Sequence, residues 1–159
     1  MARTSNKALK ALLSYKAPRL ALVVAEPGVK VSMAINTPCD AERFLEPLKY
    51  SPEEKFLAVM LNARHEVTGV IEISHGTISS SLVHPREVFK AAVLANAHAM
   101  VVAHNHPGGS RTASPDDLET TKQLNAAAKI MGVSILDHLI ITRDNEAYSI
   151  RENYRHLWD

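Results

Sequence analysis

The chain has 159 residues, enough for a domain that buries about 70% of the surface its unfolded form exposes, so a core can form without staples. Lys and Arg total 18 against 17 Asp and Glu, and the resulting net charge of +1 offers no broad positive field to hold a nucleic acid. Cys39 is the lone cysteine, which excludes an intrachain disulfide and any zinc cluster built from several thiolates. The N-terminus lacks a signal-peptide succession and no apolar run reaches the roughly 18 residues that span a bilayer, so a cytoplasmic protein without membrane contact is expected.

In chain order, Ala8, Leu9, Leu12 and Leu13 allow one short peripheral helix within residues 1 to 18, and the basic stretch Lys7 to Lys16 reads as solvated. Leu20 to Val24 and Val29 to Ile35 are apolar runs split by Glu26-Pro27-Gly28, a strand, turn, strand unit. Thr37-Pro38-Cys39-Asp40 offers a capping hydroxyl, a proline and an acid, which predicts a helix carrying Phe44, Leu45 and Leu48 and ending near Tyr50. Phe56 to Leu61 and Val67 to Ile73 form a hairpin around the turn Asn62 to His65, and His75-Gly76 breaks it.

Pro85 opens a helix past the serine-rich Ser79 to Ser81, with Val88, Phe89, Ala92, Val93 and Ala95 as its apolar face. Met100 to Ala103 is a buried strand that ends in the loop Pro107-Gly108-Gly109. Ser114-Pro115-Asp116-Asp117 begins a second helix that Gly132 stops, and Ile135 to Thr142 and Ala147 to Ile150 close a sheet. Helices interleave with both hairpins and crossovers, which predicts an α/β domain with a mixed sheet flanked by helices. Residues 1–50 read as an N-terminal extension packing on a domain formed by 51–159.

Side chains alternate along a strand, so His104 and His106 at the end of the Met100 strand project to one side while Asn105 faces oppositely. Asp117 follows His106 by eleven residues, a loop long enough to bring its carboxylate back beside the imidazoles. Two nitrogens and one oxygen leave a fourth tetrahedral position open, the pattern of catalytic Zn²⁺ sites. Ser114 and Asp117 also spell an S-x-x-D capping box, a structural role compatible with ligation because a capped helix start is a rigid mount.

The string HNHPGGSRTASPDD from His104 to Asp117 meets the spacing His-x-His, seven residues, Ser, two residues, Asp, and thereby resembles the JAMM metalloproteases. VHPREVFKAA at Val83 to Ala92, AHNHP at Ala103 to Pro107 and LDHLII at Leu136 to Ile141 resemble segments of the RadC-type branch in the same order, over roughly Pro52 to Ile150. The resemblance implies a JAB/MPN architecture, similar to cytidine deaminases, with His104, His106 and Asp117 holding zinc and Ser114 donating to an oxyanion. It implies a general base at Glu54, two residues before Phe56, with Glu53 and Glu72 as alternatives. The activity implied is hydrolysis of a peptide or isopeptide bond in a peptide or protein substrate.

Gly108 stands where the branch usually has serine. Residues 1–50 are too few for the helix-hairpin-helix region of full-length RadC proteins, so the chain resembles the short forms carried by mobile elements, and DNA association is not expected to carry over. The alternative reading is a non-catalytic metal-binding or protein-interaction module of the RadC family, associated with DNA repair or mobile elements. A nuclease reading of the letters H-N-H fails because such nucleases spread those residues over a ββα unit. His65, His75, His84, His98 and His156 are expected at the surface or in turns, and His138 as a hydrogen-bonded structural histidine.

Overall fold

The computed structural model of the chain describes residues 33–76 and 83–159. The expectations for residues 1–18, for Leu20 to Val24, for most of Val29 to Ile35 and for Ser79 to Ser81 lie outside the described residues. Thr37 caps helix α1 (Pro38–Phe44) with a complete capping box, its hydroxyl accepting from the Asp40 N–H and the Asp40 carboxylate accepting from the Thr37 N–H. This helix stops well short of Tyr50. Pro47 has no N–H to offer the carbonyl four residues back, and the chain tightens into a 3-10 segment, Glu46–Tyr50. Ala41, Leu45 and Leu48 are buried all the same, so the inward stripe survives the change of pitch.

Strands β1 (Lys55–Leu61) and β2 (Val67–His75) form the antiparallel hairpin. Its turn is held by the Asn62 side-chain oxygen, which accepts from the N–H groups of Arg64 and Glu66, with His65 in the left-handed region at φ 59°. Helix α2 (Pro85–Leu94), strand β3 (Ala99–Asn105), helix α3 (Pro115–Met131) and strand β4 (Ser134–Ile141) follow. The last strand, β5 (Tyr148–Ser149), is only two residues long, because Ser149 turns to cap a short helix α4 (Ile150–Asn153), its hydroxyl accepting from the Glu152 N–H.

The sheet order is β2-β1-β3-β4-β5, with β3 and β4 parallel across α3 and every other pairing antiparallel. This is the mixed sheet flanked by helices that the interleaved elements imply. Alternation along the strands sorts the core into two faces. Phe56, Ala58, Met60, Met100 and Val102 pack under α2 and α3 with Val88, Phe89, Ala92, Leu124 and Ala128. Val59, Leu61, Val101, Ala103, Leu139 and Ile141 pack on the opposite face with Ile35, Ala41, Leu45 and Leu48. On α2 the buried arc takes in Ala91 and leaves Val93 56% exposed, so the apolar face lies one position away from the sequence reading there. Among the described residues no helix is long and apolar enough to cross a membrane.

Candidate metal centre

The sheet's alternation decides which side chains reach the site. His104 continues the Met100, Val102 row and therefore faces α3, while Asn105 continues the Val101, Ala103 row on the other side. His138 lies out of phase with Leu139 and Ile141 on β4, on the same face as His104, and is fully buried. Past β3 the chain turns at Pro107-Gly108-Gly109, where Gly109 takes φ 80° and its N–H bonds the His106 carbonyl. Helix α3 then starts beside the ends of the parallel strands β3 and β4, the edge at which open α/β sheets place their ligands.

Three donor groups converge there. His104 Nε2 and His106 Nε2 are 2.9 Å apart, His104 Nε2 is 3.1 Å from Asp117 Oδ1, and His106 Nε2 is 3.6 Å from Asp117 Oδ2. Ligands about 2.0–2.1 Å from a tetrahedral zinc stand about 3.3 Å from one another, so the three groups already have the spacing of such a coordination shell. His106 Nδ1 bonds the Ser110 carbonyl at 2.7 Å; a carbonyl only accepts, so Nδ1 carries the hydrogen there and Nε2 faces the cluster. His104 is 2% exposed, whereas His106 and Asp117 are each 15% exposed, so solvent reaches the cluster from the His106 side.

Electrostatics fit a cation at this point. Burial opposes ionisation of Asp117, but the hydrogen bonds from His104, His106 and Ser114 outweigh it and hold the carboxyl well below the usual range. The hydrogen bond to Asp117 raises His106 above the ordinary histidine value despite burial. Burial pushes His138 well down, with the neighbouring His104 acting in the same direction. Asp117 also completes the capping box of α3: its Oδ2 accepts from the Ser114 N–H at 2.7 Å and from the Ser114 hydroxyl at 2.7 Å, while its own N–H donates to Ser114 Oγ at 3.1 Å. One carboxylate thus serves cap and cluster together.

Glu54 stands at the rim. Its carboxylate and the two imidazoles present ligand atoms within 4.8 Å of one another, and its buried Oε2 has no hydrogen-bond partner. Burial, reinforced by the Asp117 charge, raises its pKa against the pull of the two histidines. Of the alternatives, Glu53 is exposed, and Glu72 forms an ion pair with Lys55 at 2.8 Å on the hairpin. Two three-group sets therefore share His104 and His106, one completed by Asp117 and one by Glu54. Asp117 lies at coordination spacing, and Glu54 adds a second carboxylate within 4.8 Å of the imidazole nitrogens.

Sequence reasoning gave Asn105 no role beyond its direction. The structure places its buried amide across the segment that carries Glu54: Oδ1 accepts from the Lys55 N–H at 2.8 Å, and Nδ2 donates to the carbonyls of Glu53 at 3.0 Å and Ser51 at 3.3 Å. His138, expected to be structural, is hydrogen-bonded to both His104 and Thr121. His65 sits in the hairpin turn, His84 caps α2, and His98 and His156 are exposed.

A family model described as the RadC-like JAB domain matches residues 35–155. The chain is 42% identical over 123 residues to a UPF0758 protein of Desulfitobacterium hafniense, which covers 77% of this chain and 54% of the relative. It is 38% identical over 139 residues to one of Alkaliphilus metalliredigens, covering 82% and 60%. A UPF0758 protein of Clostridioides difficile is 42% identical over 124 residues, covering 77% and 52%. The chain spans about half the length of the curated relatives it matches.

Proposed function

The chain belongs to the RadC-like JAB domain family, and on that footing we propose that it is a zinc-dependent hydrolase of the JAMM type that cleaves a peptide or isopeptide bond in a peptide or protein substrate. The carrying observation is the convergence of His104 Nε2, His106 Nε2 and the Asp117 carboxylate at 2.9–3.6 Å, with the Glu54 carboxylate close by and its Oε2 unpartnered. Two imidazoles and one carboxylate are a zinc donor set, and three protein ligands leave an open position. Zinc bound there would supply Lewis acidity and lower the pKa of water from 15.7 to about 7.

The chain's own residues do the rest. Glu54 Oε2 takes a proton from the attacking water and returns it to the departing amine, a role suited to a carboxylate whose affinity for protons burial has raised. Asp117 is kept ionised and aimed by its bonds to Ser114. The Ser114 hydroxyl points its proton at Asp117 Oδ2 here, and rotation about its side chain lets it donate to the oxyanion of the substrate carbonyl instead.

Metal analysis tests the reading. Wild-type protein purified with zinc should carry one ion per chain, His104→Ala and Asp117→Ala should each fall well below that, and Glu54→Gln should keep the zinc and lose hydrolysis of a ubiquitin-like isopeptide or an unstructured peptide library. Undiminished zinc in both ligand variants would reject the site, and turnover surviving in Glu54→Gln would remove Glu54 from the mechanism.

A further inference from the structure

Glu54 has a positional problem that its own side chain does not solve. Residues 51–54 belong to neither helix nor strand, and the ladder joining β1 to β3 ends at the Phe56–His104 pair, so no backbone rung from β3 reaches the residue that carries the base. Glu54 Oε2 has no hydrogen-bond partner to aim it. A carboxylate on such a segment is only as well placed as the backbone beneath it. That backbone is held from both sides. Toward β2, the Glu54 carbonyl accepts from the Gly76 N–H at 3.1 Å. Toward β3, the Asn105 amide takes over where the ladder stops: Oδ1 accepts from the Lys55 N–H at 2.8 Å, and Nδ2 donates to the Glu53 carbonyl at 3.0 Å and the Ser51 carbonyl at 3.3 Å. The amide fits in one orientation only, because turning it over would set Nδ2 against an N–H and Oδ1 against two carbonyls.

From this placement we infer that Asn105 is a positioning residue for the proposed reaction, fixing the Glu54 carboxylate beside the two imidazoles while touching neither substrate nor metal. Its place in the chain suits it to the task. His104 and His106, its two neighbours, project to the site, and Asn105 projects from the other face of the same strand end to the segment that carries Glu54. A shift of that strand end therefore moves ligands and base together and leaves their spacing intact. The spacing matters because a displacement of about 1 Å between reacting groups can cost about 100-fold in rate.

The inference rests on the zinc hydrolase reading given above, and its test keeps the two apart. Two variants serve. Asn105→Ala removes the amide outright, and Asn105→Thr puts a β-branched side chain that suits a strand in its place, with one hydroxyl for three partners. In metal-free protein, both should speed hydrogen exchange at the Lys55 amide. The His106 amide, bonded to the Ile141 carbonyl at 3.0 Å just past the end of the same strand, should keep its protection.

Zinc affinity, read by competition with a chromogenic chelator, should be unchanged in both variants. At saturating zinc, kcat on a quenched fluorescent peptide that the wild type cleaves should fall about 10- to 100-fold with KM little changed. An Asn105 that merely braced β3 would lose zinc affinity along with kcat, and that result overturns the inference, as does an unchanged kcat or a loss confined to KM. A wild type without hydrolysis overturns the hydrolase reading, and the contrast between the Lys55 and His106 amides then decides the clamp on its own. Should neither variant fold, exchange in the wild type decides: a protected Lys55 amide supports the clamp, and an unprotected one overturns it.

Discussion

Glu54 concentrates the tension between stability and chemistry in one side chain. An unpartnered carboxylate oxygen removed from water raises the free energy of the native state whenever the group is ionised, so the fold tolerates at this position a group it would do better without. The sign follows from linkage. Burial lifts the folded-state pKa of Glu54 above its ordinary 4.5, so the penalty is absent below about that pH and complete above the raised value. Metal-free Glu54→Gln should therefore have a higher urea midpoint than the wild type at neutral pH, and the two curves should merge as pH falls toward the ordinary carboxylate range. A variant no more stable than the wild type at neutral pH would show that Glu54 is not held against its solvation preference.

At the scale of elements, the centre depends on how strand β3 grips the segment before β1. Asn105 makes three hydrogen bonds to backbone groups of residues 51–55, so Asn105→Ala leaves one N–H and two carbonyls without that partner. Stranding such groups costs on the order of 1–3 kcal/mol. Urea unfolding should show a loss of that size, with faster hydrogen exchange at the Lys55 amide and zinc content retained; an unchanged midpoint would mean water replaces the clamp. Period-two alternation sufficed to send Asn105 away from the histidines. What it meets there, a partner fifty residues earlier in the chain, is a tertiary fact that no local pattern encodes. The same limit explains the rest. Capping boxes at Thr37 and Ser114 and the glycine stop at Gly132 made helix ends legible, because those signals are local. The tightening at Pro47, the exposure of Val93 and the turn from β5 into α4 are settled by how each segment meets the sheet. His104, His106 and Asp117 were legible because a strand end and a helix start separated by one loop carry all three.

Across the whole molecule, the cluster ties the end of β3 to the start of α3, with β4 behind it through His138 and the segment before β1 at its rim. A metal held there ties the end of β3 to the start of α3, and since the unfolded chain offers no preformed site, binding energy becomes folding energy. Free zinc at a hundred times its dissociation constant would contribute about 2.7 kcal/mol, which for a chain of this size raises Tm by about 5–10 °C. The pH dependence runs in opposite directions with and without metal. In the metal-free protein the bond to Asp117 raises His106 above its ordinary 6.5, so its stabilisation is complete below that pH and is lost as pH climbs through the raised value. Zinc must displace that same proton from Nε2, so its effect on Tm should be largest in mildly alkaline buffer and should shrink as pH falls through the raised value of His106. Thermal scans with zinc and with chelator across that range should therefore diverge upward in pH. Parallel curves would show that protons and metal do not compete for His106, and the cluster would then not be the zinc site.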